Sequence, residues 1–268
     1  MEEETMLARQ QLEQGKLDVA LQTLEQDVRA HPADPALRIF LFQLLCVIGD
    51  WQRALHQLRL TGELNPDNSL MVQTYGNAIA CECLRQQVFV GVQSPLVLGE
   101  PPPWIAHLIE ALRLIAQGEP ERAKQLQNEA FEQVSVNPGR LNDEPFNWLA
   151  DADQRIGPVL EAIINGRYYW VPMQHLRSVE LDPPADLRDM VWTPARIRFV
   201  NGTGTVALIP SRYCCTEASN DSALMLARKT IWQQPFEALY IGLGQRMLVT
   251  DSGEYALLNT RNIHFETD

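Results

Sequence analysis

The sequence predicts an α+β protein of two domains, a helical-repeat domain over residues 1–136 and a smaller α+β domain over residues 137–268. Three observations lead to this prediction. Residues suited to turns and to close packing recur at a fixed period in the first half, and the apolar residues there follow the period of a helix. After residue 136 this pattern ends, and beyond residue 166 the apolar residues follow the alternation that is typical of half-buried strands.

The first half repeats a template with a period of 34 residues. Four kinds of residue recur at that distance: Gly15 and Gly49, Ala20 and Ala54, Leu24 and Leu58, and Pro32 and Pro66. The glycine forms the turn between two antiparallel helices, the alanine lets the helices approach closely, and the proline ends the second helix. This combination resembles the tetratricopeptide repeat, so the first half is predicted to be a TPR-like α-solenoid.

Helical periodicity supports the same prediction. Apolar stripes mark helices over residues 17–28 and 37–48, and further helices are expected near residues 70–88, 104–116 and 123–134. Gly118 and Ala123 lie 69 residues after Gly49 and Ala54, which is two periods plus one residue. A degenerate repeat that lacks the turn glycine is therefore expected between them.

An α-solenoid exposes a curved groove, which usually holds a peptide or a helix of another protein. In the tetratricopeptide arrangement the first helix of each unit lines this groove. The residues that this arrangement predicts to line it are Arg9, Ile39, Gln43, Gln73 and Asn77. The alternative is that the helices only support the second half of the chain.

The second half begins with a segment that could form either a functional site or the connection between the two domains. Pro145 is predicted to open a short helix that ends near Asp153, and Gly157-Pro158 interrupts it. The next stretch, PVLEAIING, is predicted to be a helix with Pro158 at its first position and Gly166 at its end.

Beyond residue 166 the pattern is that of strands. Six segments are predicted to form them: RYYWVP, ARIRFV, TVALIP, RMLVT, YALLN and NIHFE. Asn201-Gly202 between two of them is a strong hairpin signal. Asp251 and Gly253 mark a second turn, and Asp221 is placed to cap a short helix. The expected fold is therefore α+β around an antiparallel sheet or barrel.

Asp151 and Asp153 allow two interpretations. On a helix, Asp151 and Arg155 are four residues apart and can pair, while Asp153 points elsewhere. The carboxylates and Arg155 would then anchor the helix end to the sheet domain. In a loop, the two carboxylates could instead hold a divalent cation, but no Gly-rich phosphate loop or nucleotide-binding βαβ unit accompanies them. The structural interpretation is favoured.

Composition argues against several classes of function. Acidic residues outnumber basic ones 34 to 22, and the net charge of -12 opposes binding to nucleic acid or to an anionic membrane. The start, MEEETM, is unlike a signal peptide, and the most apolar run is about half the length that crosses a bilayer. The cysteines are spaced for neither a disulfide framework nor a zinc site: Cys46, Cys81, Cys83, Cys214 and Cys215. A cytoplasmic protein with reduced thiols is expected.

No motif for catalysis or for a cofactor accompanies these features. The five histidines are scattered, and none lies in a Ser/Cys-His or H-E-x-x-H pattern. The neighbouring Cys214 and Cys215 could be redox-active, although nothing in the sequence predicts a lowered thiol pKa. The sequence therefore predicts no enzyme and no cofactor.

The central motifs carry a family resemblance. PFNWLADADQRIGPVLEAIINGRYYWVP is followed by PPADLRDMVWTPA, and LARKTIW and GLGQRML come later. Together they resemble the ImpE/SciE family, also called TagJ, of accessory proteins of bacterial type VI secretion systems. The shared motif falls here on Trp148, Asp151, Asp153, Arg155, Gly157, Pro158, Glu161, Asn165, Gly166, Tyr169, Trp170 and Pro172. The stretch SRYCCTEAS departs from the R-Y-P-G-like turn expected of the family.

The resemblance implies a cytoplasmic, non-enzymatic adaptor. Family members are associated with the contractile sheath and with ClpV, the AAA+ ATPase that dismantles it. The implied partners are the N-terminal helix of the small sheath subunit and ClpV, and a helix-in-groove contact suits the predicted solenoid. Two alternatives remain: a metal-dependent enzyme that uses Asp151 and Asp153, and an assembly factor that binds another secretion component.

Overall fold

A computed structural model describes residues 2–237 and 239–266 of the chain. Its first half is helical, as the repeat period predicts. The helices are α1 (Glu2–Glu13), α2 (Leu17–Ala30), α3 (Pro35–Ile48), α4 (Trp51–Leu64), α5 (Ser69–Phe89), α6 (Pro103–Ala116) and α7 (Pro120–Gln133). Helices α1 and α2, α3 and α4, and α6 and α7 pack as neighbouring pairs.

Local sequence explains where these helices begin and end. Gly15, Gly49 and Gly118 all have positive φ angles, 74°, 85° and 76°, in the turns that separate paired helices. Side chains of Asp34 and Asp50 accept hydrogen bonds from first-turn amides of α3 and α4, which satisfies donors that lack a partner within the helix. A short 3-10 helix, Pro66–Asn68, separates α4 from α5, and α5 continues without a break through Cys83, one period after Gly49, where the degenerate repeat lacks its turn glycine.

The second half is built from strands. With one short strand from the first half they are β1 (Leu96–Val97), β2 (Gly139–Leu141), β3 (Glu144–Phe146), β4 (Leu149–Asp151), β5 (Val159–Ile164), β6 (Arg167–Pro172), β7 (Leu176–Leu181), β8 (Trp192–Phe199), β9 (Gly204–Pro210), β10 (Thr230–Phe236), β11 (Leu239–Gly244), β12 (Met247–Thr250), β13 (Glu254–Ala256) and β14 (Asn262–Phe265). A short helix, α8 (Ser222–Met225), precedes β10. The predicted α+β class is confirmed.

The strands form three sheets and no closed barrel within the described residues. The largest has nine strands in the order β1-β6-β5-β9-β8-β7-β14-β2-β3, so β1 and β3 are its open edges. A three-stranded sheet, β13-β12-β4, and a two-stranded sheet, β10-β11, complete the fold. Among the described strands every pairing is antiparallel except that of β1 with β6, which is parallel and connects the helical half to the large sheet.

Three local predictions in this half are confirmed. Asn201-Gly202 lies in the hairpin between β8 and β9, and Asp251 to Gly253 connect β12 to β13. The side chain of Asp221 accepts hydrogen bonds from the first-turn amides of α8. Each of these sequence patterns acts between adjacent residues, so the turn or cap that it predicts does not depend on the tertiary fold.

The two helices predicted between residues 145 and 166 are wrong, because this segment forms β3, β4 and β5. Every residue of β5 is buried, and a strand buried on both faces shows a continuous apolar run that periodicity cannot distinguish from a buried helix. Gly166 does not end a helix. Asn165 and Gly166 have φ angles of 50° and 74° and form the tight turn of the β5–β6 hairpin.

One hydrophobic core runs through both halves of the molecule. Trp192 on β8 lies 6.0 Å from Trp51 and 5.8 Å from Tyr75, measured between ring centroids. Phe89 at the end of α5 likewise contacts Trp170 on β6, with centroids 6.5 Å apart. A second cluster lies within the sheets. The inner face of the helices therefore packs against the second half.

None of the described helices is long and apolar enough to cross a membrane.

Candidate functional site

Buried charges gather where the helices meet the sheets. Four acidic side chains and four arginines, all buried, form a cluster that we call the ionic seam: Glu82, Arg85, Asp151, Asp153, Arg155, Glu161, Arg212 and Arg246. Unpaired charges are very costly in such surroundings, so each must find a partner of opposite charge or a set of hydrogen bonds. The equal numbers of acids and arginines allow the seam to be neutral as a whole.

Glu161 on β5 occupies the centre of the ionic seam and is fully buried. The guanidinium of Arg85, from α5, donates to both of its carboxylate oxygens at 2.6 and 3.0 Å. A nitrogen of Arg246 lies 3.2 Å from the carboxylate, and the hydroxyl of Tyr168 donates to it at 2.5 Å. Trp170 donates its indole N–H to that hydroxyl at 2.8 Å. A single carboxylate thus joins the helical half to two parts of the sheet half.

Electrostatics favours the ionised form of Glu161. Burial by itself would raise the pKa of its carboxyl group, but Arg85 and Arg246 lower this pKa to about 2. Burial also disfavours the charged form of Arg85. The nearby carboxylates of Glu161 and Glu82 outweigh this effect and raise the pKa of the guanidinium. The pair between α5 and β5 is therefore fully ionised at neutral pH.

Arg85 makes two further contacts that extend the seam. It lies 3.3 Å from the carboxylate of Glu82, one turn earlier on α5, and donates to the carbonyl oxygen of Arg212 at 2.9 Å. Glu82 also accepts a hydrogen bond of 2.9 Å from the indole N–H of Trp192. Burial raises the pKa of Glu82, although Arg85 and Trp192 favour its charged form.

Asp151 does not pair with Arg155, so the predicted ion pair between them is wrong. The chain is extended here rather than helical, and Asp151 instead accepts two hydrogen bonds from Arg246, at 2.9 and 2.5 Å. Burial raises the pKa of Asp151 to about 6, with Asp153 acting in the same direction and Arg246 opposing both. The Arg246 guanidinium is shared between Asp151 and Glu161, so Glu161, which also has Arg85, retains its charge to lower pH.

Asp153 pairs with Arg155 across a tight turn. The guanidinium donates to both oxygens of Asp153 at 3.0 and 2.6 Å, and the amide of Gly242 on β11 donates to the same carboxylate at 3.0 Å. The guanidinium also lies 4.8 Å from the ring centre of Phe89. This turn therefore links the end of α5 to the β10–β11 hairpin.

Arg212 connects the ionic seam to the C-terminal end of α3. Its guanidinium donates to the carbonyl oxygens of Val47 and Met225, at 2.7 and 2.5 Å. The last carbonyl groups of a helix have no partner within it, and a cation favours the negative end of the helix dipole. The burial of Arg212 lowers its pKa.

The other residues of the shared motif serve the surrounding turns and surfaces. Gly157, with a φ angle of 58°, packs against the ring of Phe131, and Pro158 accepts a hydrogen bond from the amide of Met173. Tyr169 packs into the second core cluster, on the opposite face of β6 from Trp170. Trp148 is 40% exposed and lines a cavity of about 490 Å³. Pro172 is buried at the end of β6.

The five residues predicted to line a solenoid groove divide between two cavities. Arg9, Ile39 and Gln43 line a cavity of about 780 Å³ that we call the α1/α3 groove, whose other wall comes from residues 184–187, 190 and 226–228. Gln73 and Asn77 line another, of about 520 Å³, beside the β5–β6 turn. Between them the apolar inner face of the helices is covered by the second half, because that face needs to be buried.

Several seam residues were not anticipated from the sequence. Glu82 and Arg85 are charged positions on a helix face that also carries Ala78 and Cys81, and charges on an otherwise apolar face signal a buried pair. Arg246 lies in GLGQRML, a segment that carries the family resemblance but no signal of a buried pair. The hairpin turn at residues 165–166 could have been found from its Asn-Gly pair.

The arrangement is suited to joining structural units rather than to chemistry. The carboxylates of Asp151, Asp153 and Glu161 are each bound to guanidinium groups and are closed to solvent. Among the residues that the structure describes, no three His, Cys, Asp or Glu side chains are placed together to hold a metal ion.

Replacing Glu161 by glutamine is expected to remove a pH-dependent part of the stability. The pKa of Glu161 is about 2 in the folded chain against an ordinary value of 4.5. Its contribution is therefore fully present above pH 4.5 and is lost as the pH falls toward 2, and it amounts to about 3 kcal/mol. Denaturant titrations between pH 7 and pH 2 should show the difference in unfolding free energy between the two chains shrinking below pH 4.5.

Glu180 supplies the matched control for this measurement. It pairs with Arg196 at the surface, so Glu180→Gln should follow the unsubstituted chain across the whole range. A difference between the Glu161→Gln and unsubstituted chains that stays constant down to pH 2 would contradict the charge assignment at the seam.

The fold and the seam define a helical array held against an antiparallel sheet by buried ion pairs. A family model described as ImpE protein matches residues 143–264. The type VI secretion system accessory component TagJ of Pseudomonas aeruginosa is 50% identical over 261 residues, which covers 97% of this chain and 92% of that protein. The chain belongs to the ImpE (TagJ) family. The X-ray crystal structure of protein VPA1032 from Vibrio parahaemolyticus has the same fold, with a TM-score of 0.89 over 98% of both chains at 24% identity.

Proposed function

We propose that this protein is a non-enzymatic accessory protein of a bacterial type VI secretion system. In this role it binds the N-terminal helix of the small sheath subunit and the AAA+ ATPase ClpV in the cytoplasm, and so modulates sheath recycling. The name of the Pseudomonas aeruginosa relative supports the secretion-system part of the proposal. The α1/α3 groove supports the helix-binding part.

The α1/α3 groove has the size and lining that a helix would use. Its volume is about 780 Å³, and its walls carry the apolar side chains of Leu12, Ile39, Phe40 and Met190. An amphipathic helix docks by placing apolar anchors, one turn apart, into such a groove. The guanidinium of Arg9 lies 5.6 Å from the ring centre of Phe40 and supplies a polar rim.

The groove walls are firmly positioned, which lowers the cost of binding. Arg228, from the second half, lines the groove and donates to the carbonyl oxygens of Leu12 and Glu13 at 2.8 and 2.9 Å. A preformed surface does not have to be ordered when its partner arrives. An adaptor that holds the sheath in this way, with ClpV bound elsewhere, raises the local concentration of sheath at the motor without making or breaking bonds.

The buried carboxylates disfavour the metal-dependent enzyme. A divalent cation would have to displace Arg246 from Asp151 and Arg155 from Asp153. It would leave Arg155 buried without its carboxylate partner and Arg246 with Glu161 alone. The assembly-factor alternative uses the same groove with a different partner. Purified components therefore separate it from the sheath proposal.

Replacing Ile39 by arginine is expected to weaken binding of a sheath-subunit peptide at least tenfold. The substitution places a charge on the apolar wall of the groove, and a tenfold loss corresponds to about 1.4 kcal/mol. Isothermal titration calorimetry of the full chain with the N-terminal helix peptide of the small sheath subunit measures the change. Adding Mg²⁺ or Mn²⁺ should leave the affinity of the unsubstituted chain as it is.

Val19→Arg is the matched control, because Val19 is an apolar residue on α2 that is 45% exposed and does not line the groove. It should bind the peptide as the unsubstituted chain does. Absence of peptide binding by the unsubstituted chain, or equal binding by Ile39→Arg, would contradict the proposal that the groove binds the sheath-subunit helix.

Cosedimentation of ClpV with assembled sheath, with and without this protein, tests the proposal that the protein bridges the two. That proposal fails if the protein leaves the amount of ClpV that sediments with the sheath unchanged.

A further inference from the structure

Two neighbouring cysteines lie on the segment that joins the sheet to the ionic seam. The sulfur atoms of Cys214 and Cys215 are 3.2 Å apart. Cys214 is buried, whereas Cys215 is only half-buried. Cys215 also has a φ angle of 66°, in the left-handed region that residues other than glycine rarely adopt. Such an unusual backbone conformation directs attention to a function of the side chain.

The surroundings make the two thiols unequal. A hydrogen bond to Cys214 lowers the pKa of Cys215, and Arg85 and Arg155 act in the same direction, while burial and Glu217 oppose them. The shared hydrogen bond and burial raise the pKa of Cys214. Cys215 is therefore both the more accessible thiol and the one that more readily becomes a thiolate, the form that reacts.

We propose that Cys214 and Cys215 are a modification site at which a small disulfide oxidant, such as oxidised glutathione, converts the two thiols into a disulfide between neighbouring residues. The site is independent of the α1/α3 groove and of the proposed partners. It also gives a role to the stretch SRYCCTEAS, which the shared motif of the family does not explain.

The reaction proceeds by two thiol–disulfide exchanges. The Cys215 thiolate attacks one sulfur of oxidised glutathione, which breaks its S–S bond, forms a mixed disulfide and releases one glutathione. Cys214 then loses its proton to solvent, and its sulfur attacks the sulfur of Cys215 and releases the second glutathione. In total the two thiols give up two electrons and two protons, and one oxidised glutathione becomes two reduced molecules.

Adjacency makes the product easy to reduce. Neighbouring Cα atoms are about 3.8 Å apart across a trans peptide, below the range of about 4.4–6.8 Å found in ordinary disulfides. Such strained bonds are more readily reduced and are typical of reversible sites. We therefore expect dithiothreitol to restore both thiols.

Oxidation acts on a segment that holds the two halves together. Arg212 on one side of the pair binds the last carbonyl groups of α3. Glu217 on the other side accepts a hydrogen bond of 2.6 Å from Gln86 on α5. A ring closed between Cys214 and Cys215 constrains the backbone between these two contacts.

The test uses the full chain with Cys83→Ser, which removes an exposed thiol and leaves four cysteines. After incubation with oxidised glutathione, the chain is denatured, its free thiols are alkylated, and its intact mass and peptides are measured. We expect a loss of two alkylated thiols in most chains, no retained glutathione, and a peptide in which Cys214 and Cys215 are joined. Dithiothreitol should reverse the change.

Two further variants assign the order of the steps. Cys214→Ser removes the resolving thiol and should trap one glutathione on Cys215. Cys215→Ser, a conservative change at a half-buried position, should abolish the reaction. The proposal is overturned if the Cys83→Ser chain keeps all four thiols, if it retains glutathione on either residue, or if Cys215→Ser loses thiols as readily.

Discussion

Replacement of Arg85 by alanine is expected to lower the free energy of unfolding by about 3 to 5 kcal/mol, which is the cost of breaking a buried ion pair by removing one partner. Arg85 is 3% exposed and contacts the carboxylates of Glu161 and Glu82. Its removal leaves both acids buried with less compensating charge, and it also removes the donor to the carbonyl oxygen of Arg212. Urea denaturation at pH 7, followed by tryptophan fluorescence, measures the change.

Arg196→Ala is the matched control for this experiment. Arg196 also bridges two carboxylates, those of Glu180 and Asp182, but its side chain is 58% exposed. Solvent screens such pairs, so this variant should unfold at the same urea concentration as the unsubstituted chain. Equal effects of the Arg85 and Arg196 substitutions would show that the ionic seam does not hold the halves together.

Replacement of Gly244 by alanine is expected to cost about 3 kcal/mol or more. Gly244 ends β11 with a φ angle of 91°, and a Cβ added there would lie 2.1 Å from the carbonyl oxygen of Lys229 and 2.7 Å from the side chain of Leu224. The left-handed conformation costs a residue with a side chain about 1–2 kcal/mol, and the overpacking adds about 1–3 kcal/mol. The backbone must therefore shift where β10 pairs with β11.

Gly118→Ala separates these two costs. Gly118 has a similar φ angle of 76°, but a Cβ added there would meet no atom within 4 Å. Only the conformational cost applies, so a loss of about 1 kcal/mol is expected. Thermal and urea unfolding of the two variants, compared with the unsubstituted chain, measures both values. A loss at Gly244 no larger than that at Gly118 would show that the contact between β11 and Lys229 can relax.

Both experiments bear on the proposed function because the α1/α3 groove takes its walls from both halves. The seam and Arg228 both contribute contacts that join these two halves. A variant that weakens the seam while leaving the chain folded should therefore also weaken binding of the sheath-subunit peptide. In this way the buried charges would serve recognition without touching the partner.

The sequence predicted the helical half well because its signals are local. Turn glycines and apolar stripes act within one or two turns of the chain, so Gly49 has the same effect wherever the helices are placed. The prediction for residues 145–166 failed for the opposite reason. Its burial on both faces, as at β5, depends on the helices and strands that cover it, and these are distant in the sequence.

The candidate site shows the same division. The motif from Asp151 to Glu161 was recognised from the sequence, but its partners were not, because Arg85 lies 76 residues and Arg246 lies 95 residues from the acids that they bind. The open groove expected of a solenoid likewise depends on what packs against it. The second half covers most of the inner helix face and leaves the α1/α3 groove and the cavity beside Asn77.

The sequence by itself determined that a helical array precedes an antiparallel sheet half, because period, turn residues and caps are properties of neighbouring residues. Only the tertiary structure decided which charges pair, which face of the helices stays open, and that Cys214 and Cys215 lie beside the ionic seam. Those outcomes follow from contacts between residues far apart in the chain, and the burial that makes each contact strong exists only once the two halves have packed together.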